Sequence, residues 1–225
     1  MVLLQSSAKK TKEEQQQKEQ ITNKYQEITT KIEDNSTESK ETAIEAYQDG
    51  FDNSDILGRL SIENTNLNVP VVQSSDNAYY LNHLLDKSKN SLGSIYLDYR
   101  NKTTDRKLII YGHNSENIYT EFNMLENYIN PSYYKNHSII NFETENANYQ
   151  YKIFSVYIAT DDYQHVNLNY STEDYAKHLT WLKNESLYDT DVEVNTYDNI
   201  IVLQTCYYNP QDSYLIVVGK KVAVG

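Results

Sequence analysis

The chain has one cysteine, three arginines and no long apolar segment among its 225 residues. A single cysteine excludes an internal disulfide, and no cysteine and histidine residues share the spacing of a zinc site. Without a run of about 20 apolar residues, the chain as given has no segment typical of a membrane span. The net charge of −12 disfavours nucleic acid as a partner, because an acidic surface repels phosphates. We expect no metal and no other cofactor.

The N-terminal part of the chain has the composition of a long polar helix. Residues 8–40 are rich in Lys, Glu, Gln and Thr and contain neither Gly nor Pro, which is typical of a solvated helix or of partial disorder. A short heptad-like seam is formed by Ile21, Tyr25, Ile28 and Ile32. The seam could pack on the body of the protein or self-associate, but we favour an exposed stalk. Asn35 and Glu38 predict the N-cap of a second helix that continues through Tyr47 and ends at Gly50.

From residue 51 onward, short strand patterns replace the helical one. We therefore divide the chain into an N-terminal helical extension, residues 1–50, and a β domain, residues 51–225. Strands are predicted at 56–62, 69–73, 94–99, 108–111, 138–142, 149–159, 200–206 and 214–218, and helical segments at 77–85, 116–134 and 172–187. Pro70 indicates that the second strand lies at a sheet edge or a bulge. The strand-rich order predicts a mostly β (α+β) fold with peripheral helices, a closed or nearly closed β-barrel preceded by N-terminal helices.

The single cysteine, Cys206, ends a strand pattern whose residues 200–203 are all apolar. A thiol at the end of a central strand can be presented to a groove as a nucleophile, although a lone cysteine is more often an inert core residue. His113 follows another predicted strand, after the strand-breaking Gly112. Because the thiolate is the nucleophile in cysteine chemistry, Cys206 needs such a partner, and we predict this pair as catalytic. The other four histidines are predicted to be surface or structural residues: His83, His137, His165 and His178.

Three motifs, in this order and at this spacing, resemble the sortase family. They are Gly-Ser-Ile-Tyr-Leu-Asp-Tyr-Arg-Asn at 93–101, Tyr-Gly-His-Asn at 111–114 and Leu-Gln-Thr-Cys at 203–206, and the first is similar to class B. The resemblance implies a sortase-like catalytic barrel in residues 51–225. It also implies a cysteine transpeptidase that cleaves a C-terminal sorting signal of surface proteins after Thr, keeps the acyl fragment on Cys206 as a thioester and transfers it to an amine. His113 would protonate the leaving amine.

The resemblance further implies two partners, the sorting-signal peptide and an amine of peptidoglycan or of its lipid-linked precursor. It places such an enzyme at the extracellular face of a Gram-positive cell membrane, held by an N-terminal anchor. Because the chain as given has no segment typical of a membrane span, we expect it to be a soluble form. By order along the chain, the substrate-binding residues are expected to be Ser74, Tyr96, Leu97 and Thr205. In class B, the connection at residues 161–198 would carry a helix and help to form the binding groove.

The sequence departs from the sortase pattern at one position. Sortases carry an arginine on the last strand, which binds the substrate or the oxyanion, and the alignment puts Tyr214 there, eight residues after Cys206. Losing an oxyanion donor typically lowers a rate by about 100- to 1000-fold. Three explanations stay open: natural divergence, an engineered substitution, or an arginine from elsewhere, for which Arg100 is the candidate. Two alternatives to a transpeptidase also stay open, a hydrolytic cysteine protease and a catalytically impaired binding protein with the sortase fold.

Overall fold

The computed structural model describes residues 2–34 and 42–222, with side chains from residue 8 onward. Its α-helices are α1 (Val2–Asp34), α2 (Ala43–Phe51), α3 (Pro131–Tyr134) and α4 (Thr172–Asn184), and 3₁₀ helices span Glu121–Ile129 and Gln164–Val166. Its strands are β1 (Ile56–Ile62), β2 (Asn68–Val72), β3 (Tyr96–Leu97), β4 (Lys107–Tyr111), β5 (Ile139–Thr144), β6 (Ala147–Ala159), β7 (Ile200–Tyr207) and β8 (Ser213–Val222). The mostly β character predicted from the strand patterns is confirmed.

The eight strands form one closed barrel in the order β1-β2-β3-β4-β7-β8-β6-β5. Most neighbours are antiparallel, but β2 pairs with β3, and β4 with β7, in parallel. Parallel neighbours need a long crossover. Between β4 and β7 that crossover contains β5, β6 and α4. Closure removes free sheet edges, and the barrel predicted from the sequence is therefore confirmed in its closed form.

Strand β7 is buried on both faces, which explains its continuous apolar sequence. Ile201 and Leu203 belong to the main core inside the barrel. Ile200 and Val202 point to the outer face, where they form a second apolar cluster with α4. The apolar face predicted for α4 is the one that packs there: Tyr175, Leu179 and Leu182. The long β6–β7 connection thus covers part of the outer face of the barrel.

Helix α1 is docked on the barrel domain, so the exposed stalk favoured from the sequence is wrong. Ile21 and Tyr25 are buried within the main core, and the rest of the predicted seam packs against it. Lys18 donates from Nζ to the Gly93 carbonyl oxygen at 2.9 Å and forms a 2.8 Å ion pair with Glu121. The seam is therefore explained by packing on the body. No helix in the described part of the chain is both long and apolar enough to cross a bilayer.

Helix α2 begins with a capping box in which Thr42 and Glu45 each bond the backbone of the other. The cap predicted at Asn35 and Glu38 lies outside the described residues. The helix continues one residue past the predicted end, to Phe51, and Asp52 closes it in the left-handed conformation with φ of 49°. A helix C-terminus of this kind does not require glycine, although glycine favours it.

Two segments that precede β4 differ from prediction. The predicted helical turn at 77–85 is instead a series of turns with an isolated bridge, and the Asp76 carboxylate accepts from the backbone N–H groups of Ala78 and Tyr79 at its start. The strand predicted at 94–99 is reduced to β3, because a turn closed by a hydrogen bond from Asn101 N to Asp98 O follows at once. The chain before β4 is therefore richer in turns than the sequence pattern indicated.

Candidate active site

The site lies where β4 and β7 end side by side. Their parallel ladder runs from Lys107 opposite Ile200 to Tyr111 opposite Gln204. Immediately beyond it, Gly112 N donates to Gln204 O at 3.1 Å. His113 and Cys206 therefore both lie just beyond the last pair of this ladder, His113 after the end of β4 and Cys206 near the end of β7, although 93 positions separate them in sequence. The sequence predicted these two positions at strand ends, and the fold brings the two ends together.

The imidazole of His113 is oriented by a backbone group. Its Nε2 lies 2.7 Å from the carbonyl oxygen of Leu81. A carbonyl oxygen only accepts, so Nε2 must carry the hydrogen, and in the neutral ring Nδ1 then keeps its lone pair. The Leu81 carbonyl thus has the role of the third group, which orients the base in other nucleophilic sites. His113 can accordingly accept a proton at Nδ1 while remaining fixed through Nε2.

Cys206 is half-buried, and burial raises the pKa of its thiol. The resting side chain is therefore mainly the neutral thiol near neutral pH. A thiol of this kind attacks a carbonyl group only when a base takes its proton or a nearby charge stabilises the thiolate. His113, which follows the neighbouring strand, is the candidate for this base.

Three aromatic residues gather around Cys206 on the outer face. Tyr214 is its direct partner in the β7–β8 ladder, and the ring of Tyr163 lies 5.7 Å from that of Tyr214. Burial raises the pKa of Tyr214, and the thiolate charge of Cys206 adds to the effect. The pKa of Tyr96 is raised to about 12 by burial, then by Asp98, with smaller contributions from Cys206 and Tyr214. These neighbours of Cys206 are thus aromatic rather than cationic.

The predicted substrate-binding residues have different positions. Tyr96 is on the outer face, because it pairs with Tyr111, which itself pairs with Gln204. The hydroxyl of Ser74 donates to Asp76 O at 2.7 Å within a turn. Leu97 and Thr205 are each only 1% exposed. Their side chains face the barrel interior, so a contact with a peptide on the outer face would have to use their backbone.

Arg100, the candidate for the missing arginine, is already engaged. It binds the buried Asp98 through two hydrogen bonds of 2.8 Å and donates to Val166 O at 3.0 Å. Burial alone would raise the pKa of Asp98, but the bonds from Arg100, Tyr111 and Asn77 outweigh it and hold that pKa below its usual value. The guanidinium therefore serves a structural ion pair in this conformation.

The β6–β7 connection packs beside Cys206, against β7 and β8. His165 Nε2 lies 2.8 Å from Gln204 Oε1, and Tyr163 packs on Tyr214. His165 and His178 belong to this connection and are buried, as expected for structural histidines. Among the described residues, no group of three or more His, Cys, Asp or Glu side chains could hold a metal ion.

Two polar residues at the site were not singled out from the sequence. Asn114, directly after His113, donates from Nδ2 to Cys206 O at 2.9 Å, and the Tyr208 hydroxyl donates to Asn114 O at 2.8 Å. Asn114 belongs to the motif at 111–114, which was a usable signal. Tyr208 is one of 22 tyrosines, and nothing in its sequence context distinguishes it.

A closed barrel with a histidine just past one strand and a cysteine near the end of the parallel strand beside it is the arrangement of a sortase-type cysteine transpeptidase domain. Residues 60–222 match the family model described as the sortase domain, and the chain belongs to the sortase family, class B. It is 34% identical over 177 residues to sortase B of Staphylococcus aureus, covering 76% of this chain and 72% of the relative. It is 36% identical over 157 residues to sortase B of Listeria monocytogenes, covering 68% and 63%.

Solved structures of class B sortases have the same fold. A Staphylococcus aureus sortase B–substrate complex superposes with a TM-score of 0.81 at 29% identity, covering 93% of this chain and 98% of that one. A sortase B complexed with triglycine gives a TM-score of 0.80 at 28% identity, covering 93% and 99%. Clostridium perfringens sortase B gives 0.73 at 31% identity, covering 79% and 98%. The first two cover almost the whole chain.

Proposed function

We propose that this chain cleaves a C-terminal sorting signal of surface proteins between Thr and the next residue, and transfers the acyl fragment to an amine of peptidoglycan or of its lipid-linked precursor. The cell surface of a Gram-positive organism is the proposed place of action. The observation that carries the proposal is the placement of His113 and Cys206 just beyond the last pair of the β4–β7 ladder. The relatives crystallised with a substrate and with triglycine support a peptide donor and a glycine amine acceptor.

The proposed reaction has two steps with one thioester between them. In the first, the sulfur of Cys206 attacks the Thr carbonyl carbon, its proton passes to His113, and the C–N bond breaks as His113 protonates the leaving amine. In the second, the incoming amine attacks the thioester and gives a proton to His113, and the Cys206 sulfur leaves and is protonated again. Atoms and charge balance, and no cofactor is consumed.

We propose that the site stabilises the oxyanion only weakly. A tyrosine hydroxyl offers one neutral donor, whereas a guanidinium offers several charged ones. Tyr214 stands opposite Cys206 in the β7–β8 ladder, which supports the proposal that it occupies the position of the usual arginine. This observation also favours a second candidate function, a sortase-fold protein that binds the sorting signal but turns it over slowly or not at all.

Intact-protein mass spectrometry tests the proposal. The chain is incubated with a peptide containing Pro-Xaa-Thr-Gly, with and without triglycine. We expect a mass increase equal to the acyl fragment that is discharged by triglycine, and no adduct in Cys206→Ala or His113→Ala. An adduct that water removes equally well with or without triglycine would indicate a hydrolytic protease. No adduct from a panel of such peptides, with a thiol that still reacts with iodoacetamide, would support the impaired binding protein.

A further inference from the structure

The pairing of β4 with β7 continues beyond its backbone ladder through side chains. The Thr205 hydroxyl donates to Gly112 O at 2.7 Å. One residue further, Asn114 Nδ2 donates to Cys206 O at 2.9 Å, and the Tyr208 hydroxyl donates back to Asn114 O at 2.8 Å. We call the last two bonds the Asn114–Tyr208 clamp. His113 lies between these two anchored neighbours.

The polar groups of the clamp are fully used. Asn114 is only 3% exposed, and its Nδ2 also donates to Glu126 Oε1 at 2.5 Å. Its Oδ1 accepts a hydrogen bond from Asn123 Nδ2. The backbone of His113 is tied from a third direction, since the Thr120 hydroxyl donates to His113 O at 2.6 Å. A buried amide with every bond satisfied has one orientation, so it can fix the chain around it.

We propose that Asn114 and Tyr208 are positioning residues that hold the His113 imidazole at its working separation from the Cys206 thiol. The inference rests on the proposed function, because the separation matters only if proton transfer between the two occurs. The clamp joins Asn114, the residue after His113, to Cys206 and to Tyr208, which lies two residues beyond Cys206. Movement of either segment would therefore change the distance across which the proton passes. Displacements of about 1 Å can lower a rate by about 100-fold.

Tyr208→Phe is the sharpest variant, because it removes one hydroxyl from a partly exposed ring. Tyr207→Phe is the matched control: the neighbouring hydroxyl has no hydrogen bond to any described residue. We expect Tyr208→Phe to lower kcat by about tenfold and Asn114→Ala by about 10- to 100-fold, with KM within about twofold. Tyr207→Phe should keep kcat within about twofold of the unmodified chain.

Asn101→Ala is the control for loss of a buried amide. Asn101 donates to Lys107 O at 2.8 Å and accepts from Ile109 N at 2.9 Å, at the opposite end of β4. We expect it to lower the melting temperature and leave kcat unchanged under conditions where the variant is folded. Unchanged kcat in both Tyr208→Phe and Asn114→Ala would overturn the proposal, and so would an equal loss of kcat in folded Asn101→Ala.

A second measurement needs no substrate and so separates this proposal from the proposed function. The rate of Cys206 alkylation by iodoacetamide is followed between about pH 5 and 10, where thiolate content controls it. If Asn114 acts through His113, Asn114→Ala changes the pH profile of the unmodified chain but not that of His113→Ala. An equal change in both backgrounds would show a direct effect on Cys206 and overturn the positioning role. If the alkylation profiles change as expected but the chain does not cleave the peptide, only the proposed function is refuted.

Discussion

Cys206 and Tyr214 are directly opposed in the antiparallel ladder of β7 and β8, so their side chains leave the same face of the barrel as neighbours. Opposed residues have Cβ atoms roughly 5 Å apart. The register of this hairpin thus places the side chain of Tyr214 beside that of Cys206. A charged side chain at position 214 would occupy the same place without any change to the barrel.

We predict that Tyr214→Arg raises kcat for peptide cleavage by at least about tenfold, because a guanidinium stabilises a developing oxyanion better than a phenol does. Tyr214→Phe is the matched control and is expected to lower kcat, since it removes the only hydroxyl at this position. Steady-state kinetics with one Pro-Xaa-Thr-Gly peptide checks both variants. A rate for Tyr214→Arg at or below that of the unmodified chain would show that this position does not serve the arginine role.

Arg100 provides the competing explanation, and we predict that it does not supply the missing donor. Because its guanidinium is bound to Asp98 and Val166 O, Arg100→Gln should lower the free energy of unfolding. The loss is expected to be about 1–2 kcal/mol, less than for a fully buried pair, because the Arg100 side chain is partly exposed. Urea denaturation measures this loss, and kcat of the folded variant should stay within about twofold of the unmodified chain. A large fall in kcat with unchanged stability would instead assign Arg100 to the active site.

The stability of the protein should fall in mild acid because of two buried histidines. Burial is the main cause that lowers the pKa of His165 to about 4 and of His178 to about 3, from 6.5. Between about pH 6.5 and 4 the unfolded chain therefore binds more protons than the folded one, and the free energy of unfolding decreases as the pH falls. Melting temperatures across this range should show a shallower slope for His178→Gln than for the unmodified chain. His83→Gln is the control, because His83 is not one of these two buried histidines. Equal slopes of melting temperature against pH in the two variants would contradict the prediction.

Lys107 also makes the protein more stable as the pH rises, but over a higher pH range than the two histidines. Burial first, and then the charge of Arg100, lowers its pKa from 10.5 to about 7. Its Nζ donates to His178 Nε2 at 2.9 Å and to Asn167 O at 2.8 Å. Between about pH 7 and 10.5 the unfolded chain again binds the extra proton, so this contribution to stability increases with pH. The melting temperature is accordingly expected to rise from acid through neutral pH, until other groups titrate.

The docking of α1 should depend on its buried ion pair. Lys18 and Glu121 have side chains about one-tenth exposed, so Lys18→Met leaves a carboxylate without its counter-charge and should lower the free energy of unfolding by about 3–5 kcal/mol. Lys31→Met on the same helix removes an exposed pair with Glu27, which solvent screens, and should lower the free energy of unfolding much less. Urea denaturation compares the two. Equal losses would show that the buried pair does not hold the helix, whereas recovery in Lys18→Met/Glu121→Leu would support the assignment.

The fold was largely predictable because the strand patterns are strong. Residues 200–203 are apolar on both faces, and the structure explains this by a core inside the barrel and a helix outside it. The docking of α1 was not predictable, since a short apolar seam does not specify what it contacts. The partner of Lys18 lies 103 positions away, and the helix contains many other lysines of equal appearance.

The candidate site was predictable where a residue ends a strand, and less so where the direction of a side chain matters. Cys206 and His113 follow apolar runs, and this order fixed their place at strand ends. Tyr96 and Leu97 form the whole of a two-residue strand, so alternation could not show which of them faces outward. The Asn114–Tyr208 clamp depends on the loop after β4 and the end of β7, which approach each other only in the folded chain.

The parallel pairing of β4 with β7 also affects how the chain acquires its chemistry during folding. A hairpin cannot join parallel strands, and closing a segment of 93 residues costs about 4 kcal/mol of chain entropy. Cys206 therefore meets its histidine only after the intervening strands and α4 have been accommodated. Before that stage the newly made polypeptide carries an ordinary, unactivated thiol. We expect recovery of peptide cleavage to be among the last signals to return on refolding, later than the recovery of helical content.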